Sequence, residues 1–375
     1  MKLVFLSNFI NHHQIPMCER LFELLGDGFH FLQSMPMESE RIEMGWNRDV
    51  DRPWLVRLYE DESRGTELID GADAVLLGWS ERPDLDKRRL MSRKATMRMS
   101  EPVYKNGRWR FISPRGLIHK YDEHIRYRND PVPMLCAGAY AAYDFSLMRA
   151  YPGKLFKWGY FPPLRGGAPA EKEETSLVWA GRFIDWKHPD FAVRVAASLM
   201  KKGFSFTLFM VGGGPMEAGL KGLAADLGVA DKIVFTGYRT PDETRDIMDR
   251  CAALLMTSDL MEGWGAVVNE GMDSGCCVVG SYEAGSVPFL IRDKENGRVY
   301  RRGSYTEFER VLTETLSDPE GMRKMGEAAR ETVSAEWNGR IAADRLCEFS
   351  SALISGEIKA FEKGILSRAE AIRPE

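Results

Sequence analysis

Ser176–Pro215 reads SLVWAGRFIDWKHPDFAVRVAASLMKKGFSFTLFMVGGGP, and its rhythm decides the fold. Ser176–Ala180 is a short apolar strand that ends at Gly181-Arg182. His188–Lys202 then carries apolar residues at helical spacing, and Ser205–Val211 is a second strand closed by Gly212-Gly213-Gly214-Pro215. A strand, a helix of this length and a second strand force a right-handed parallel crossover. Outward from there the pattern repeats. Lys232–Phe235, Ala253–Met256 and Cys277–Val279 read as strands, with Pro215–Leu227, Pro241–Arg250 and Gly265–Asp273 as helices. The expectation is an α/β fold with an open, doubly wound parallel sheet.

Toward the N-terminus, Lys2–Leu6, Phe29–Leu32, Ala74–Leu77 and Ala95–Met99 read as strands. Pro16 sits where a helix begins, followed by Met17, Leu21, Phe22 and Leu25 at helical spacing. Pro131–Cys136 leads into a small-residue helix over Ala137–Ala150, whereas Met35–Gly71 is charge-rich and reads as irregular. Phe161–Thr175 (FPPLRGGAPAEKEET) has the composition of a linker. The expected organisation is a first domain over residues 1–162, a linker over 163–175, a second domain over 176–345 and a terminal helical segment over 346–375.

The bulk composition narrows the function classes. A chain of 375 residues is long enough for two cores, and 44% hydrophobic with 28% charged residues is a globular mixture. No apolar run approaches the roughly 18 residues that span a bilayer. The opening MKLVFLSNFINHHQIP reads as a first buried strand and not as a signal peptide. The six cysteines show no metal-ligand spacing, and Cys276-Cys277 lies in an apolar run, so a reducing cytoplasm is expected. Net charge is −4, yet Lys87–Arg128 holds thirteen Lys/Arg against three Asp/Glu. An anionic membrane face or a nucleic acid would suit such a segment, as would acidic neighbours in the fold.

Ligands of doubly wound sheets bind beyond the carboxyl ends of the strands, so the loops there carry the chemistry. Gly181 turns the chain sharply, and Arg182 and Lys187 set two cations over one crevice, where they suit a departing diphosphate. Gly212-Gly213-Gly214 lets backbone approach a ligand at a helix start, but no Gly-Lys-Ser/Thr follows, so it is not a Walker loop. Thr236-Gly237-Tyr238 ends a strand where a base would lie against backbone and ring. In Glu262-Gly263-Trp264-Gly265-Ala266-Val267-Val268-Asn269-Glu270 two carboxylates flank a glycine-rich turn that opens a helix. Glu262 suits sugar hydroxyls, and Glu270 suits a ribose diol.

These four motifs, in this order, resemble the donor domain of the retaining glycosyltransferases of family four, over roughly Leu177–Trp337. The resemblance implies the GT-B fold, with two Rossmann-like domains facing across a cleft and a final helix crossing back to the first. It implies that Glu262 and Glu270 form the E-x7-E motif holding the nucleotide sugar, while Arg182 and Lys187 bind its diphosphate. It also implies metal-independent transfer from a UDP-, GDP- or ADP-sugar to a glycan or lipid-linked acceptor, with anomeric configuration kept and no cofactor.

The first domain departs from that family. Where members carry a glycine-rich loop, this chain has Ser7-Asn8-Phe9-Ile10-Asn11-His12-His13-Gln14, and Met97–Glu101 lacks their histidine. His12, His13 or Glu101 supplies the polar group toward the sugar in this reading. Asp49-Val50-Asp51 and Asp84-Leu85-Asp86 resemble metal-binding D-x-D sequences, but neither follows a clear strand. A nucleotide-sugar 2-epimerase and a non-catalytic scaffold on the same fold stay open at this stage. A nucleic-acid binder would need a recognition helix, zinc site or RNP-like motif beside the basic stretch.

Overall fold

The computed structural model describes residues 1–38, 42, 51–105, 107, 113–167, 172–301 and 303–374. Two compact units divide the chain, one from Met1–Pro163 with Glu336–Arg373 and one from Leu164–Ala335.

The first unit holds a seven-stranded parallel sheet in the order β3-β2-β1-β4-β5-β6-β7. Its strands are β1 (Leu3–Ser7), β2 (Phe29–Gln33), β3 (Leu55–Arg57), β4 (Ala74–Leu77), β5 (Ala95–Ser100), β6 (Met134–Ala137) and β7 (Leu155–Trp158). Every residue of β1 and β4 is buried, as for parallel strands covered on both faces. Helices α1 (Ile15–Leu25), α2 (Glu62–Gly71), α3 (Pro83–Met91), α4 (Pro114–Glu123) and α5 (Ala141–Leu147) connect them.

The second unit holds a six-stranded sheet in the order β10-β9-β8-β11-β12-β13, again wholly parallel. Its strands are β8 (Glu173–Ala180), β9 (Thr207–Val211), β10 (Ile233–Gly237), β11 (Cys251–Met256), β12 (Cys277–Ser281) and β13 (Arg298–Tyr300). The helices are α6 (Pro189–Lys201), α7 (Glu217–Asp226), α8 (Pro241–Arg250), α9 (Val267–Asp273), α10 (Val287–Leu290), α11 (Tyr305–Leu316) and α12 (Pro319–Glu336). Val193, Ala196 and Leu199 on α6 share one core with Leu177, Trp179, Phe206 and Leu208. Each large side chain buried this way contributes about 1.5–3 kcal/mol. A capping box starts α8, where Thr240 accepts from the Glu243 amide and Glu243 from the Thr240 amide. In each unit the strand order reverses direction beside a central strand, β1 or β8, which opens a crevice at its carboxyl end.

The last helix, α13 (Gly339–Ile354), belongs to the first unit and lies on α1. At Gly339 the two approach closely, since a Cβ there would stand 2.7 Å from the Met17 nitrogen. Arg20 of α1 meets Asp344 of α13 at 2.8 Å. The chain then lines the edge strand β7, with Leu366 and Ala369 amides donating to Lys157 and Leu155 carbonyls. An open sheet edge is thereby covered.

Three expectations change. The region Met35–Gly71 is not irregular throughout, because it contains β3 and α2. Asp61 caps α2 by accepting the Arg64 amide at 3.0 Å, but only Gly65 and Ile69 are buried, so the helix carries almost no apolar period. The linker reading of 163–175 is too long, since β8 starts at Glu173 and Arg165 is held within the second unit by Asp246, Asp249 and Asp273. The expected helix over Ala137–Ala150 covers only Ala141–Leu147.

Candidate functional site

The carboxyl edge of β8 gathers most of the second unit's motif residues. The Gly181 amide donates to Val211, Phe183 to the Gly213 carbonyl at 2.7 Å, and Gly212 to Gly237 at 3.0 Å. Three strand ends, those of β8, β9 and β10, are thus laced together by backbone. Glycine is required for this lacing. At Gly212, with φ of +128°, a Cβ would lie 1.9 Å from the Gly181 carbonyl oxygen. One at Gly213 would meet the Tyr238 ring at 2.8 Å, and one at Gly214 the Phe183 carbonyl at 2.8 Å. The Tyr238 ring remains 52% exposed, so it still offers a face to a ligand.

The loops after β8 and β11 meet through side chains. Lys187 ends a short 3-10 turn, Asp185–Lys187, and its ammonium pairs with the Glu262 carboxylate. The same Glu262 oxygen accepts from Ser258 Oγ at 3.0 Å. Thr257 Oγ1 donates to the Lys187 carbonyl at 2.6 Å and accepts from Trp179 Nε1 at 2.7 Å. The Asp259 amide donates to Trp186, and Asp259 lies 3.5 Å from His188, raising that imidazole's pKa by hydrogen bonding and charge. Lys187 and Glu262 side chains are only 15% and 13% exposed, so their pairing is little screened. Arg182 stands exposed on the same loop as Lys187.

Beyond Glu262 the turn is closely packed. Gly265 has φ of +87°, and a Cβ would crowd Met256 at 2.7 Å and Glu262 itself at 3.2 Å. Gly263 is buried. Trp264 is 1% exposed, with its indole donating to Asn269 at 2.9 Å, so its ring supports the turn from below and presents no face. Ala266 leads directly into α9, which carries Glu270 half-buried. Burial drives the Glu270 carboxyl up to about 7, with Arg245 opposing and Asp273 adding to the shift. Of the carboxylates and cations named from sequence, the structure joins Lys187 to Glu262; Ser258 and Thr257, which bond to that pair, and Asp259 beside His188 were not singled out from sequence. Their position directly after β11 was the available signal.

In the first unit, the loop Ser7–Gln14 satisfies its own amides. Asn8 Oδ1 accepts from Phe9, Gln33 Oε1 from Ile10, Gln14 Oε1 from Asn11 and Asn11 Oδ1 from His13. Side-chain amides here occupy N–H groups that a glycine-rich loop would turn to a ligand. His12 is buried against His13, their ring centroids 3.8 Å apart, and His13 stacks toward Tyr160 at 6.1 Å. Tyr160 donates to Glu101 at 2.7 Å, and Lys105 pairs with the other carboxylate oxygen. The structure so brings His13 and Glu101 to one neighbourhood through Tyr160. Tyr160 was missed because β7, whose end it follows, is only four residues long.

Asp49 and Val50 lie outside the described residues, so that D-x-D has no structural account. Asp84 and Asp86 fall in the first turn of α3, Asp84 pairing with Arg82 and Asp86 accepting from Ser80. Burial raises Asp86 to about 6. Among the described residues no helix is long and apolar enough to cross a membrane.

Residues 163–332 match the family model described as glycosyl transferases group 1. The chain is 30% identical over 183 residues, 47% of each chain, to a GDP-mannose-dependent alpha-(1-6)-phosphatidylinositol monomannoside mannosyltransferase of Mycobacterium tuberculosis. It is 28% identical over 207 residues, 52% of this chain and 45% of the other, to a D-inositol 3-phosphate glycosyltransferase of Nocardia farcinica. The chain thus spans about half the length of the curated relatives it matches. Among solved structures, HepE of Anabaena in complex with UDP aligns with a TM-score of 0.70 at 14% identity, over 94% of this chain and all of that one. That likeness shows a GT-B fold.

Proposed function

From residues 163–332, which match the model described as glycosyl transferases group 1, we propose that this chain moves a sugar from a nucleoside-diphosphate donor to a hydroxyl acceptor. The observation that carries this reading is the Lys187–Glu262 pair beside Arg182 at the reversal of strand order. When the bond between the anomeric carbon and the diphosphate breaks, negative charge grows on the leaving oxygen. Arg182 and Lys187 oppose that charge, Lys187 from a position of low exposure where a fixed cation acts most strongly. Glu262, oriented by Ser258, accepts hydrogen bonds from the sugar's hydroxyls. Glu270 takes the ribose diol, and Gly212, Gly213 and Tyr238 border the base and phosphates.

The finer reading is transfer with retention of anomeric configuration and without a metal, the cations doing the work of charge neutralisation. His13 and Glu101 face the transferred sugar and acceptor. A UDP- or GDP-sugar is the donor, the acceptor is a glycan or a lipid-linked sugar, and the product enters a surface polysaccharide or glycoconjugate. The names of the relatives support this range, one bearing GDP-mannose and another structure holding UDP. The enzyme works in the cytoplasm, peripherally on an anionic membrane face.

Thermal shift with UDP, GDP and ADP, followed by turnover of the matching sugars in excess EDTA, tests the reading. The expected result is stabilisation by one nucleotide, EDTA-resistant release of it, and an unchanged anomeric configuration in the product by proton NMR. Inversion, or turnover that EDTA abolishes and a metal restores, would overturn the mechanism.

A further inference from the structure

Helix α4, Pro114–Glu123, is amphipathic the wrong way round for a helix on a water-facing surface. Its lysine, Lys120, is 6% exposed and lies over the Tyr104 ring at 4.9 Å. Its large apolar residues point outward, with Leu117 47%, Tyr121 58% and Ile118 65% exposed. At roughly 100° per residue these three fall within one arc of about 100°, the width of a face that normally packs on a core. A Ser113 cap holds the helix start by accepting the Gly116 amide at 3.1 Å. Glu123 anchors its other end through Lys87 and Arg98. The face is therefore held outward by its supports, since rolling the apolar side inward would carry Lys120 and Glu123 away from Tyr104, Lys87 and Arg98.

Cations border this face. Arg115 is exposed at the start of α4, and Arg126 and Arg128 are exposed just past its end. Lys87, which meets Glu123 at 3.8 Å, has Met91 one turn further along the same face of α3, and Met91 is 70% exposed. Arg93 follows, also exposed. An apolar strip edged by arginines complements a surface that is apolar in depth and anionic at its rim, the chemistry of a bilayer rich in acidic lipid. A nucleic acid would match the arginines but leave Leu117 and Ile118 in water.

We infer that α4, with the C-terminal end of α3, is a membrane-docking face that inserts Leu117, Ile118 and Tyr121 among acidic lipid headgroups. The inference rests on the proposed reaction at an anionic membrane face. The test is co-sedimentation of the full chain with phosphatidylcholine vesicles, with and without 30% phosphatidylglycerol, at low and high salt. Wild type should bind the acidic vesicles at least about tenfold better than neutral ones, and less at high salt. Leu117→Ser with Ile118→Ser should lose most of that binding, about tenfold or more, and Arg115→Gln a smaller part. Both variants should keep the wild-type melting temperature and nucleotide-induced thermal shift. Equal binding of the double variant, or no wild-type preference for acidic vesicles, would overturn the inference. Concentration-dependent dimerisation lost in the double variant, without vesicle binding, would overturn it in favour of a second copy as the occupant. Failure of turnover with vesicle binding intact would count against the enzymatic reading alone.

Discussion

The two units share a strand order up to one extra strand, yet they build the loop beside their central strand in opposite ways. After β8 the chain ties itself to its neighbours, Gly181 to β9, Lys187 to Glu262 and Thr257 back to Lys187. After β1 it ties largely to itself, through the side-chain amides of Asn8, Asn11 and Gln14 with help from Gln33. The first arrangement leaves charged groups preset across a crevice. The second closes backbone donors that an anion would use, and leaves polar work to Glu101, Tyr160 and His13. Topology supplies the crevice in both units, and the loop chemistry decides what each crevice can hold.

The sharpest way to break this contrast is at Lys187. Lys187→Ala should lower kcat by a hundredfold or more, about 3 kcal/mol of transition-state stabilisation, and Glu262→Gln should do nearly as much. Initial-rate kinetics with matched melting curves check this, and near-normal rates in both would remove the preset pair from the mechanism.

Lacing by glycine is tested next. Gly212→Ala should cost about 3 kcal/mol in stability, because a methyl cannot coexist with the Gly181 carbonyl 1.9 Å away without parting two loops. Urea denaturation reads it directly. If stability were unchanged, the three strand ends would not be laced as described.

A smaller effect is expected in the first unit. Tyr160→Phe and Glu101→Gln should each lower kcat/KM for the acceptor about tenfold, roughly 1.4 kcal/mol, without altering the nucleotide thermal shift. A changed nucleotide shift would mean that this cluster serves the donor as well.

The gentlest probe is pH. Glu270 has a folded pKa of about 7, above the usual glutamate range, so the native state holds its proton more tightly than the unfolded chain does. Its contribution to stability is full below the unfolded value, near 4.3, and is lost as pH rises through about 7. The proposed ribose contact uses the carboxylate form, so nucleotide affinity should climb severalfold across the same interval. Glu270→Gln should flatten both profiles; a surviving step near pH 7 would assign it to another group.

Sequence determined a good deal. The alternation over Ser176–Pro215 established the doubly wound sheet, because a strand has period two and a helix period 3.6 whatever their surroundings. The spacing from Arg182 to Lys187 and from Glu262 to Glu270 marked the loops of the proposed donor site, since each spacing is short enough to be fixed by local backbone. Tertiary structure decided the rest. The partners Lys187 and Glu262 are separated by 75 residues, and Glu101 and Tyr160 by 59, so only the folded sheet could bring them together. Trp264, inside the glycine-rich turn, is packed with its indole on Asn269, and Lys120, within the basic stretch Lys87–Arg128, is buried beneath an outward apolar face. Which way a side chain points depends on what its helix leans against, and that is set by contacts between distant parts of the chain.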